Sequence, residues 1–80
     1  MSEKKISIDL HGMRALEAEI AIEKHIIQCI KENYSQVRIV HGHGTGVLKK
    51  ITQEVLSKSE FVNDFYFDPT YSTTIAILNN

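Results

Sequence analysis

Apolar and polar residues alternate along Lys5–Leu10, where Ile6, Ile8 and Leu10 are separated by Ser7 and Asp9. A period of two marks a half-buried strand, and Gly12 ends it. From Arg14 to Asn33 the period lengthens: Ala15, Ala18, Ile22, Ile26 and Cys29 recur at three- and four-residue steps, which predicts an amphipathic helix. Gln36–His41, led by Val37, Ile39 and Val40, reads as a second strand. After a glycine-rich turn, Gly46–Lys58 carries the stripe Val47, Leu48, Ile51, Val55 and Leu56 of a second helix, with Thr45 expected as its N-cap. Phe65–Phe67 reads as a third strand, Asp68–Ser72 as a turn punctuated by Pro69, and Thr73–Leu78 as a fourth strand closing a hairpin.

The order β-α-β-α-β-β places the chain in the α/β class, with right-handed parallel crossovers linking strands one, two and three. Both helices then cover one sheet, and the other sheet face meets solvent. One domain is expected over residues 1–80, with residues 1–4 as a polar leader. At 80 residues the chain buries only about 60% of its unfolded surface, so it forms one core and encloses no large cavity. Any site must lie at an edge.

Charge narrows the possibilities further. Nine Lys and Arg stand against ten Asp and Glu, a net charge of −1. A generic nucleic-acid binder usually carries a basic excess, so phosphate recognition here has to be local. The lone Cys29 forms no internal disulfide and no CxxC is present, which makes a reducing cytoplasm the expected setting. Met1–Lys5 is polar with no apolar run behind it, unlike a signal peptide, and no apolar stretch approaches the ~20 residues of a membrane span.

Parallel strands bring their carboxyl ends to one edge, where ligands of open α/β sheets bind. Two unusual segments are expected there, Asp9-Leu10-His11-Gly12 and His41-Gly42-His43-Gly44-Thr45-Gly46. Alternation sets Asp9 and His11 on the same side, a carboxylate beside an imidazole. A histidine suits proton transfer near neutrality, and a carboxylate can fix its tautomer. The bland reading is two polar residues on a solvated face. The glycine-rich segment is neither GxGxxG nor GxxxxGK[ST], yet its alternating glycines permit close backbone approach and it opens a helix whose amino end suits an anion. Lys49 and Lys50 lie at the unfavourable end of that helix dipole, a conflict that a bound phosphate removes. The bland alternative is a tight turn with two solvated lysines.

His11, His41 and His43 are also a conceivable zinc triad, although no HExxH accompanies them. His25 and Cys29 read as packed residues. On the first helix Leu16, Ile20, Ile27 and Ile30 extend the apolar arc beyond what one sheet contact needs, so an exposed remainder would serve a second copy of the chain or another domain.

Ile8-Asp9-Leu10-His11-Gly12, then Glu17-Ala18, then His41-Gly42-His43-Gly44-Thr45-Gly46-Val47-Leu48 closely resemble the Smr (small MutS-related) domain, with its LDLHG motif, EA pair and HGxGTGxL loop. The likeness runs over nearly the whole chain. It departs where the family carries a glycine-rich GGxGVTVV segment: here Tyr71-Ser72-Thr73-Thr74-Ile75-Ala76-Ile77 stands, keeping the threonine as Thr74 but not the preceding glycines. The resemblance implies a two-layer sandwich similar to the C-terminal domain of translation initiation factor three, a mixed four-stranded sheet with strand four antiparallel and both helices on one face. It also implies nicking of DNA or endonucleolytic cleavage of RNA, including messenger RNA on stalled ribosomes. Carried over by motif, Asp9 and His11 are the catalytic pair and His41–Gly46 the nucleic-acid-binding loop.

The expectation is therefore a Smr-type endonuclease, with His11 as general acid or base, Asp9 orienting it, and the loop amides, Arg14, Lys49 and Lys50 neutralising the phosphate. The alternative is a non-catalytic nucleic-acid or ribosome-binding module using the same groove. No cofactor is expected. A two-metal phosphodiesterase needs several convergent carboxylates, and only Asp9, with Glu17 less certain, is placed at this edge. RNA, which supplies its own 2′-hydroxyl nucleophile, is then the easier substrate.

Overall fold

The computed structural model describes residues 6–79, so the polar leader expected at 1–4 lies outside the described residues. Six elements follow in order: β1 (Ile6–Asp9), α1 (Ala15–Lys31), β2 (Gln36–Val40), α2 (Val47–Lys58), β3 (Val62–Phe67) and β4 (Thr73–Leu78). They form one mixed four-stranded sheet of order β1-β2-β4-β3, with β1 parallel to β2 and β4 antiparallel to both neighbours. β3 thus runs in the direction of β2 without pairing to it, because β4 lies between them. A direct succession of neighbouring parallel strands one, two and three is corrected accordingly. The reason is visible in β4 itself, whose residues are buried in the pattern BBBBiB. A strand apolar on both faces suits the middle of a sheet, not its edge.

Both helices pack on one face. Ala18, Ile22, Ile26 and Cys29 of α1 and Val55 and Leu56 of α2 meet Val37, Ile39, Ala76 and Leu78 of the sheet in a single core. The register sets Val37 beside Ala76 and Ile39 beside Thr74, so alternate residues of neighbouring strands share the helix side. On the opposite face Ile75 is nevertheless buried, flanked in register by Arg38 on β2 and Tyr66 on β3. Long neighbouring side chains shield it on a face that no helix among the described residues covers.

β3 begins at Val62, ahead of its aromatic run. The pairing with β4 slips between Val62 and Asp64, leaving Asn63 as an extra residue, and this bulge puts Val62 on the core side with Phe65. Alternation is broken by the bulge, so the first half of the strand carries no readable period. β1 ends at Asp9 and β2 at Val40, each one residue short of expectation. α1 is shorter at both ends, with Arg14 as N-cap and Asn33, in the left-handed region at φ +63°, beyond its end. α2 is capped by Gly46 instead of Thr45, and Gly46 adopts φ +88°. The Thr45 hydroxyl still accepts from the Val47 amide, at a long 3.4 Å. No helix among the described residues is long and apolar enough to cross a membrane.

Candidate functional site

The carboxyl ends of β1, β2 and β3 and the amino ends of both helices converge on one edge. At the end of β1 the Met13 amide donates to the Leu10 carbonyl at 2.9 Å, closing a tight turn over His11 and Gly12. Gly12 takes φ +79°, the value that the third position of a type II turn demands. His11 is consequently exposed at the tip, while Leu10 is fully buried beneath it.

Asp9 and His11 are joined, but not through the ring. The Asp9 carboxylate accepts from the backbone N–H of His11 at 2.9 Å. Asp9 therefore fixes the turn that presents His11, and among the described residues no hydrogen bond holds the imidazole. The expected orientation of the ring by Asp9 is replaced by orientation of the backbone that carries it. Glu17 is likewise engaged, its carboxylate accepting from the Arg14 amide at 2.9 Å to satisfy an otherwise unpaired donor at the start of α1. The Arg14 side chain is exposed at the same edge.

The second segment divides into an inward and an outward part. His41 is only 6% exposed, with Nδ1 3.1 Å from the Gly42 carbonyl and Nε2 2.8 Å from the Thr74 hydroxyl. A carbonyl can only accept, so Nδ1 carries a proton, and in that tautomer Nε2 accepts the Thr74 O–H. The ring also meets Phe67 edge-on, 6.1 Å between centroids. His41, expected among the ligand-contacting residues, is buried with both ring nitrogens engaged, because its side chain falls on the helix side of the sheet. The remaining loop faces out: His43, Gly44 and Thr45 are exposed, and their amides donate to nothing among the described residues. The amides of His41 and Gly42 both donate to the Ser72 carbonyl at 3.0 Å, tying this loop to the β3–β4 turn.

That turn completes the edge with residues that sequence reasoning missed. Lys49, in the first turn of α2, holds Nζ 4.6 Å from the centroid of Phe67 and 5.5 Å from that of Tyr71. Lys50 beside it is exposed. The two aromatic rings lie 5.6 Å apart, and Tyr71 is 56% exposed. The only signal in the chain is the pairing of two aromatics across a proline turn. Within the turn, hydrogen bonds from the Thr70 hydroxyl and amide, with the charge of Arg38 adding to them, hold the Asp68 carboxyl below the usual carboxylate range. Among the described residues no three His, Cys, Asp or Glu side chains converge as a metal site, and both nitrogens of His41 are already engaged.

This geometry defines a small two-layer α/β domain with an open edge, lined by backbone donors, two lysines and an exposed imidazole. The family model of the Smr domain matches residues 8–73, and the chain belongs to that family. It is 38% identical over 96% of its length to an endonuclease MutS2 of Lactococcus lactis subsp. cremoris, of which it spans 10%. An endonuclease MutS2 of Staphylococcus aureus is 43% identical over 76% of the chain and 8% of that protein. The chain thus spans about a tenth of the length of these relatives. The crystal structure of the Smr domain of Thermus thermophilus MutS2 superposes with a TM-score of 0.91 at 25% identity, covering 94% of this chain and 99% of that one. YdaL, a stand-alone small MutS-related protein from Escherichia coli, shares the fold at a TM-score of 0.87 and 15% identity, over 92% of this chain and 64% of that one.

Proposed function

We propose that the domain is a nucleic-acid endonuclease that cleaves RNA at this edge, in a cytoplasmic setting. The observation that carries the reading is the convergence of the exposed His11 turn, the open amides of His43, Gly44 and Thr45, and Lys49 and Lys50 on one edge. Amides and ammonium groups suit a phosphate, and the amino end of α2 adds its dipole to them. The naming of relatives as MutS2 endonucleases agrees with phosphodiester chemistry.

In this mechanism the neutral His11 imidazole removes the proton from a ribose 2′-hydroxyl, whose oxygen attacks the adjacent phosphorus. The bond from phosphorus to the 5′-oxygen breaks, that oxygen takes a proton from water, and a 2′,3′-cyclic phosphate remains. Amides and lysines stabilise the charge that builds on the phosphoryl oxygens. Asp9 acts by holding the His11 turn in place. Incubation of labelled RNA, single-stranded DNA and duplex DNA, with and without chelator, tests the reading. RNA should be cleaved despite chelator, while His11→Ala and a 2′-deoxy substitution at the scissile nucleotide should each stop cleavage. Duplex nicking that requires magnesium or manganese would overturn the mechanism. Binding by the wild type without cleavage would favour the non-catalytic module.

The outer side of α1 supports a second proposal, weak self-association. Leu16 is 67% exposed, Ile20 45% and Ile27 44%, and helical geometry sets the three within one narrow stripe. An antiparallel two-fold pairing centred between Glu23 and Lys24 sets Ile20 of one copy against Ile27 of the other and Glu23 against Lys24, a self-complementary arrangement.

A further inference from the structure

Tyr71 stands where the hairpin would most easily accept glycine. The Tyr71 amide donates to the Asp68 carbonyl at 2.9 Å and the Asp68 amide to the Thr73 carbonyl at 3.0 Å, so a β-turn beginning at Asp68 leads directly into Tyr71 at φ +60°. Hairpins of this kind place glycine or asparagine at the left-handed position, and a bulky residue there is an outlier. The surroundings leave the turn little freedom. The Thr70 hydroxyl bonds to the Asp68 carboxylate and the Ser72 hydroxyl at 2.7 Å each, and the Ser72 carbonyl anchors the glycine loop.

The strained backbone holds an aromatic ring in solvent. Packing alone does not account for it, since contact with Phe67 still leaves Tyr71 56% exposed. Strain maintained in this way at a site is a reason to look for function. Lys49, held over Phe67, also stands over one face of the Tyr71 ring with its ammonium 5.5 Å from the centroid, so a charge for a phosphate and an exposed ring for a base lie side by side.

We propose that Tyr71 and Lys49 form a subsite for one unpaired nucleotide, the base stacking on the exposed Tyr71 ring and its phosphate meeting Lys49. This rests on the nucleic-acid reading above and deepens it. The ring gives the edge a preference for single strands, because a duplex offers a surface side chain no free base face, whereas an unpaired base stacks without regard to its identity. The open amides of His43, Gly44 and Thr45 then hold the neighbouring phosphate.

Fluorescence anisotropy with a labelled single strand, the same strand bearing abasic sites, and a duplex of the same sequence tests the subsite. Tyr71→Gly and Tyr71→Asn both suit the positive φ, so neither should lower the thermal midpoint. Each should weaken single-strand binding by roughly 5- to 150-fold and leave duplex affinity unchanged, while Tyr71→Phe binds as wild type does. The abasic strand should bind wild type as weakly as the intact strand binds Tyr71→Gly. Tyr66→Ala, which removes an exposed aromatic on the opposite sheet face, should leave both single-strand and duplex affinity unchanged. Wild type that binds strand and duplex, with Tyr71→Gly affecting neither or both equally, overturns the subsite and leaves the nucleic-acid reading standing. Wild type that binds none of the probes overturns both.

Discussion

His41 Nε2 lies 2.8 Å from the Thr74 hydroxyl, joining residues that are 33 positions apart in the chain. One sits at the mouth of the glycine loop and the other in the centre of the sheet, both buried. The bond locks β2 to β4 where the loop leaves the sheet. Thr74→Val keeps the shape and removes the donor, leaving Nε2 buried and unpaired. The expected loss is about 1–3 kcal/mol in urea denaturation, largely recovered in Thr74→Ser. No measurable loss in Thr74→Val would show that the bond contributes nothing to the fold.

Lys49→Ala/Lys50→Ala should weaken nucleic-acid binding and flatten its dependence on salt. Each phosphate that a lysine no longer neutralises lowers the slope of log K against log salt by about 0.7 to 0.9. Titrations at several salt concentrations measure this directly, and an unchanged slope removes both lysines from the interface.

Asp68 should make the β3–β4 turn sensitive to acid. Its folded carboxyl titrates below the usual range, first because of the Thr70 hydroxyl bond. A depressed folded value means that the stabilisation is present above the unfolded pKa and lost as pH falls through the folded one, so the window lies below about pH 4. The difference in thermal midpoint between wild type and Asp68→Ala should therefore shrink on acidification from pH 5 towards pH 2 (about the range of carboxylate titration). A difference that stays constant would remove Asp68 titration from the account.

Much of this arrangement is written in local pattern, and what is not has a definite physical cause. Periodicity alone places the Ala18, Ile22, Ile26 and Cys29 face of α1 against the sheet, and β4 occupies Thr73–Leu78 as its apolar run indicates. The start of β3 is hidden by the bulge at Asn63, and the insertion of β4 between β2 and β3 depends on pairing between distant segments. At the site, the exposed His11 and the outward loop follow from glycine placement. The burial of His41 does not, because its partner Thr74 comes from another strand. Nor does the platform of Lys49, Phe67 and Tyr71, assembled from α2, the end of β3 and a turn.

Ile20→Glu and Ile27→Glu separate the outer stripe of α1 from its core face. Both residues are exposed, so each variant should stay folded with a stability change of about 0.5 kcal/mol or less. Ile22→Ala, at a fully buried position, should cost about 2–5 kcal/mol. Sedimentation equilibrium should show weak self-association of the wild type that either glutamate abolishes. A strictly monomeric wild type at the highest attainable concentration removes the dimer.

The middle of the sheet is filled by its last strand. During synthesis β1, β2 and β3 all emerge before β4, and until β4 arrives β2 and β3 have no common neighbour to join them. The Ser72 carbonyl that receives the His41 and Gly42 amides arrives with it, as does the Thr74 hydroxyl. A nascent chain therefore makes the residues of its glycine loop early and sets their geometry late. The geometry of this edge is complete only once β4 has cleared the ribosome, so closure of the sheet and assembly of the candidate site are a single event.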